Sequence, residues 1–149
     1  MFADFVLASL HHVLVFTLLA ILATEFVLVR PGLPTETLLR VIRLDAVYGA
    51  ISVAVITIGV ARVIWGIKGW EAYVYNVWFW HKIGAFLIVG LLSIAPTIRF
   101  MRWRRSVASD PGYAVSDAEI RAVRRFIHAE AGIFLLIPVF AAVMARYGA

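Results

Sequence analysis

The chain has 149 residues and no cysteine. That excludes disulfides, thiolate metal sites, iron–sulfur clusters and thiol redox chemistry. Charge is scarce as well. Only 15% of residues are Asp, Glu, Lys or Arg, too few to cover a soluble domain of this size. Acid is the rarer sign, 9 residues against 14 basic ones, which leaves a formal net charge of +5. What fills the chain is apolar: 63% of residues are hydrophobic and the mean hydropathy is +0.93, where a soluble domain is nearer half apolar. These bounds predict an all-α integral membrane protein of one domain, residues 1–149, with the lipid bilayer as its surroundings.

Four spans are expected. A helix needs roughly 20 apolar residues to cross the hydrocarbon core. "FVLASLHHVLVFTLLAILATEFVLV" supplies a first span over 5–29. Pro31, Gly32 and Pro34 then stop the helix, and Thr35 or Thr37 can cap the next. The second span is predicted over 38–67 and the third over 74–101, with Pro96 as a kink. Asp110-Pro111-Gly112 reads as a turn, and Ser116 with Glu119 as a capping box that opens a fourth span over 117–146, bent at Pro138. A signal peptide is the alternative for residues 1–25, but the segment opens with Asp4 and no Lys or Arg, and its apolar run is longer than a signal's, so the mature chain is expected to keep it.

The arginines give an orientation. Arg30, Arg40 and Arg43 flank the first connection, and Arg99, Arg102, Arg104, Arg105, Arg121, Arg124 and Arg125 surround the third. The other side carries mainly Arg62, Lys68 and Arg146, with a belt of Trp65, Trp70, Tyr73, Tyr75, Trp78 and Trp80. Basic loops stay in the cytoplasm. The expectation is an antiparallel four-helix bundle in a bacterial inner membrane, multi-pass, with both termini outside. The same arginines need no nucleic acid to explain them, and a lipid-binding role is compatible with them.

Depth follows from orientation. At the helical rise, His11 lies about 9 Å into the first span and His81 about 10 Å into the third. The two imidazoles share a level, with Arg62 and Lys82 at or just outside it. A second polar layer, Glu25, Asp45 and His128, is expected on the cytoplasmic side. Ionisable groups inside spans mark function by default. Asp4, His11 and Glu25 fall on one helix face, while His12 points elsewhere. Asp45, Ser52 and Gly59 repeat at heptad spacing; His81 shares a face with Gly84, Ala85 and Ala95, and His128 with Gly132 and Ala142. Small residues serve close helix packing or leave room for a flat ligand. Glu130 points away from His128, toward an arginine or a neighbouring subunit.

Two imidazoles at one level on facing helices suit a bis-histidine haem b inside a bundle. His11 and His81 would ligate the iron, and Arg62 and Lys82 would take the propionates. His12 is the weaker ligand candidate. For each histidine the plainer alternative is a polar side chain satisfied by a neighbouring helix. Zinc or copper fits less well without cysteine.

"LHHVLVFTLLAILATEFVLVR" together with "WFWHKIGAFLIVGLL" resembles the small bacterial membrane proteins of the DUF2214 group, which look like distant relatives of the HemJ-type protoporphyrinogen oxidases and CopD-like membrane domains. The resemblance implies a haem-binding bundle, with His11 matching a proposed ligand and Lys82 a lysine that opens the third span. The oxidases' tyrosine–histidine pair is replaced here by "SIAPTIR", so the resemblance implies haem more than porphyrinogen oxidation. The expected function is therefore a redox-active haem b protein, a homo-oligomer that serves a quinone, porphyrin or electron-transfer partner. The alternative is a proton- or ion-coupled transporter using the same ionisable residues.

Overall fold

The computed structural model describes residues 2–147, and the described chain is all helical. Six helices occur: α1 Phe2–Leu28, α2 Thr35–Trp65, α3 Glu71–Val74, α4 Val77–Ser109, α5 Asp117–Phe134 and α6 Leu136–Tyr147. Four segments are long and apolar enough to cross a membrane: α1, α2, α4, and α5 with α6 as one.

Local chemistry sets most of the boundaries. After α1, Gly32 adopts φ 77°, a left-handed conformation that costs other residues more. The N-cap of α2 is Pro34, with no side-chain cap; Thr35 and Thr37 do not cap it as expected, because the helix begins at Thr35 itself. Asn76 caps α4, its side chain accepting from the Trp78 N–H at 2.9 Å. Ser116 caps α5: its hydroxyl accepts from the Glu119 N–H, and the Glu119 carboxylate takes the Ser116 hydroxyl proton in place of the backbone N–H that a full capping box uses. The Asp110 turn forms as well, closed by Tyr113 N–H on the Asp110 carbonyl at 3.0 Å.

The helices run further toward the arginine-rich loops than hydropathy alone indicates. α4 continues to Ser109 rather than ending near Met101. Pro96 sits inside it without ending it. The fourth span does break, at Leu135. That is one residue past Phe134, whose carbonyl would clash with the Pro138 ring in an unbroken helix.

Helix packing is uneven along the molecule. α1 packs on α2 and α5; α4 packs on α5 and α6 and less on α2; α6 makes no comparable contact with α1 or α2. The core is gathered toward the arginine-rich end: Leu18 and Leu22 of α1, Val41 of α2, Phe100 and Trp103 of α4, and Val123, Ile127 and Phe134 of α5. At the aromatic end, residues 2–17 of α1, 56–65 of α2, 77–84 of α4 and 138–147 of α6 contribute no buried side chain. One half is a closed core, and the other is loosely packed. Gly84 of α4 is half-buried there, yet a Cβ on it would meet nothing within 4 Å.

Candidate functional site

The closed half contains a polar layer to which every span contributes. Glu25 of α1 is 3% exposed, Asp45 of α2 7%, Tyr48 of α2 5% and Glu130 of α5 2%. Tyr48 Oη donates to Glu130 Oε1 at 2.7 Å, which ties α2 to α5. Thr97 of α4 donates to Asp45 Oδ1 at 2.9 Å. Glu25 Oε1 is buried and has no hydrogen-bond partner. The charged groups within electrostatic reach of Glu25 are Asp45 and Glu130.

His128 does not belong to this layer, contrary to the sequence expectation. It is exposed, stacks on Phe26 with ring centroids 4.2 Å apart, and accepts from Arg124 Nε at 3.1 Å. Glu130 takes its place. The reason is helical phase. The buried stripe of α5 runs Ile120, Val123, Ile127, Glu130, Phe134, and His128 falls one residue off it. That signal was present in the sequence, as was the α2 stripe of Val41, Asp45, Tyr48 and Val55. Tyr48 and Thr97 are functional candidates that hydropathy hid, because their hydroxyls sit on otherwise apolar faces.

The loosely packed half holds the basic residues. His11 lies against α2 at Gly59: a Cβ on Gly59 would stand 3.3 Å from His11 Cε1. Glycine there admits the imidazole. His11 is within electrostatic reach of Arg62 and Lys82, as Lys82 is of Arg62. His11 Nδ1 and Arg62 Nε are both buried without a hydrogen-bond partner. Among the described residues the one ion pair is Arg40–Glu36, at the other end of the molecule. Asp4 is turned to the end of α2, where it accepts from the Ile67 N–H at 3.4 Å.

His81 is not turned to this group. It is exposed, donates from Nδ1 to the Val77 carbonyl at 2.9 Å, and lies beside Trp78 and Phe140, with ring centroids 5.4 and 5.7 Å away. His12 is exposed too and bonds the Ala8 carbonyl within its own helix. His11 lies against α2, whereas His81 lies beside Phe140 of α6 with its Nδ1 held by its own helix. Among the described residues no three His, Cys, Asp or Glu side chains converge on a metal position.

The sequence matches the family described as DUF2214, predicted membrane protein, over residues 3–148. The chain belongs to the DUF2214 family. A multi-pass membrane protein in the lipid bilayer follows from that membership and the four apolar helices together. No curated protein and no solved structure matches the chain. Within this DUF2214 protein two arrangements can do chemistry: a sealed carboxyl layer, and an open group of unpaired basic side chains.

Proposed function

We propose that this DUF2214 protein binds an anionic, membrane-soluble ligand in its loosely packed half, between Arg62, Lys82 and His11. In this reading the chain is an antiparallel four-helix bundle of a bacterial inner membrane, arginine-rich loops in the cytoplasm and both termini outside. The carrying observation is that His11 Nδ1 and Arg62 Nε are buried without a hydrogen-bond partner, in the half of the molecule that also holds Lys82, and that the one ion pair among the described residues lies at the other end. A cation in an apolar span is costly unless paired, and one partner removed from such a pair leaves an uncompensated charge. The missing partner then comes from outside the chain, as a carboxylate or phosphate.

The guanidinium of Arg62 is shaped for such an oxyanion. The space beside Gly84, and the lack of any α6 packing on α1 or α2 comparable to that on α4, leave room for an apolar body. A haem or porphyrin carboxylate is one member of this class. With His81 turned away it would meet one imidazole at most. A redox role, with its quinone or porphyrin partner, follows only where the bound anion is itself redox-active. Self-association in the bilayer is part of the same proposal and adds no residue to the site.

The test is binding of protoporphyrin and of its dimethyl ester to purified protein in lipid. The diacid should bind at least about tenfold more tightly, because one charge-assisted hydrogen bond is worth about 1.5–3 kcal/mol. Arg62→Gln with Lys82→Gln should erase that preference. Equal binding of acid and ester would overturn the reading. A second reading, proton or ion conduction, is favoured only by the carboxyl layer. It predicts pH-driven flux in liposomes that Glu25→Gln abolishes.

A further inference from the structure

The carboxyl layer lies apart from the basic group and has its own logic. Its members come from every span: Glu25 from α1, Asp45 and Tyr48 from α2, Thr97 from α4 and Glu130 from α5. Two of the three carboxyls have a neutral donor, Thr97 on Asp45 and Tyr48 on Glu130. Glu25, with 3% exposure, has no donor on Oε1. The groups that act on it electrostatically are both acids, Asp45 and Glu130. On α5 the nearby base, Arg124, donates to His128 Nε2 at 3.1 Å and to the Val29 carbonyl at 3.5 Å.

A carboxyl oxygen shut away from water and from donors is expensive to leave bare. It needs a cation or a proton. The three acids do not converge as a metal site does. Both sides of the layer are closed by buried side chains: Leu18, Leu22 and Phe134 on one side, and Val123, Phe100 and Trp103 on the other, are each at most 1% exposed. A hydrated ion would lose its shell to enter, whereas a proton needs only one oxygen lone pair.

We propose that Glu25, Asp45 and Glu130 form a buried proton-binding site in which Glu25 takes up and releases the exchangeable proton. Tyr48 and Thr97 hold the other two carboxyls in place. Uptake forms one O–H bond on the Glu25 carboxylate and breaks one in a hydronium ion, which is left as water; release reverses both. The buried apolar walls make the site a store of protons and not a continuous wire.

The test is infrared difference spectroscopy of the purified protein in lipid, acid minus alkaline buffer, with no ligand added. The wild type should show a carboxylic acid C=O band that titrates and shifts in D2O. Glu25→Gln should remove that band, Glu25→Asp should keep it at a shifted position, and His128→Ala should leave it untouched. Tyr48→Phe should shift it through Glu130, which keeps the test open should Glu25→Gln fail to fold. The proposal is overturned by the absence of any titrating band in the wild type. It is equally overturned by a band unchanged in Glu25→Gln and Tyr48→Phe, or by one that follows sodium, potassium or calcium at fixed pH. Because the band is assigned by Glu25→Gln and Tyr48→Phe, both outside the basic group, this outcome is independent of the ligand reading.

Discussion

Tyr48 and Gly59 each serve one contact, and each contact can be removed singly. The Tyr48 hydroxyl is the bridge between α2 and α5. Side-chain hydrogen bonds between membrane helices average about 0.6 kcal/mol and reach about 1.7. Tyr48→Phe also strands Glu130, at 2% exposure, so the loss should fall at the upper end of that range. Reversible unfolding in mixed micelles measures it, and an unchanged midpoint would mean the bond carries no stability. Gly59 works through absence. A Cβ already stands 3.3 Å from His11, so Gly59→Leu should displace the imidazole. Ligand affinity should fall at least tenfold while the helical content read by circular dichroism holds, because residues 56–65 of α2 add nothing to the buried core. At this scale the sequence was only partly legible. Depth alone puts His11, His81, Arg62 and Lys82 near one level but says nothing of where each side chain points. The choice between His128 and Glu130 needed phase measured against neighbouring apolar positions, and the direction of the His81 ring depends on Phe140, a contact no spacing rule contains.

Helices and their ends were more legible than side-chain directions. Hydropathy located four spans because a bilayer demands a fixed length of apolar helix, and Ser116–Glu119 announced the start of α5. Two features escaped. α3 is one turn long, too short for any periodicity. The break at Leu135 was expected at Pro138, but the proline acts on the carbonyl four residues earlier. The connection between α1 and α2 is fastened to α5 by the Gly32 N–H on Asp117 Oδ1 at 3.0 Å. Gly32 has φ 77°, where a side chain costs about 1–2 kcal/mol. Gly32→Val should therefore lower the melting temperature in detergent more than Asp117→Ala, which loses one exposed hydrogen bond. The reverse order would show the turn to be unstrained.

Across the whole molecule, packing divides the chain into a closed half around carboxyls and an open half around bases. That division follows from packing: α6 leans on α4 and makes no comparable contact with α1. The absence of cysteine makes orientation directly measurable. An impermeant maleimide applied to intact spheroplasts should label Ala72→Cys and spare Ala114→Cys, both exposed positions. The opposite pattern would invert the bundle and place the basic group toward the cytoplasm. The most direct measurement of the central claim is native mass spectrometry of protein extracted from its own membrane with nothing added. The account predicts a retained mass, acidic in character, that disappears when Arg62 and Lys82 are both changed to glutamine. A wild-type chain that flies bare, or one whose passenger survives that double substitution, would contradict it.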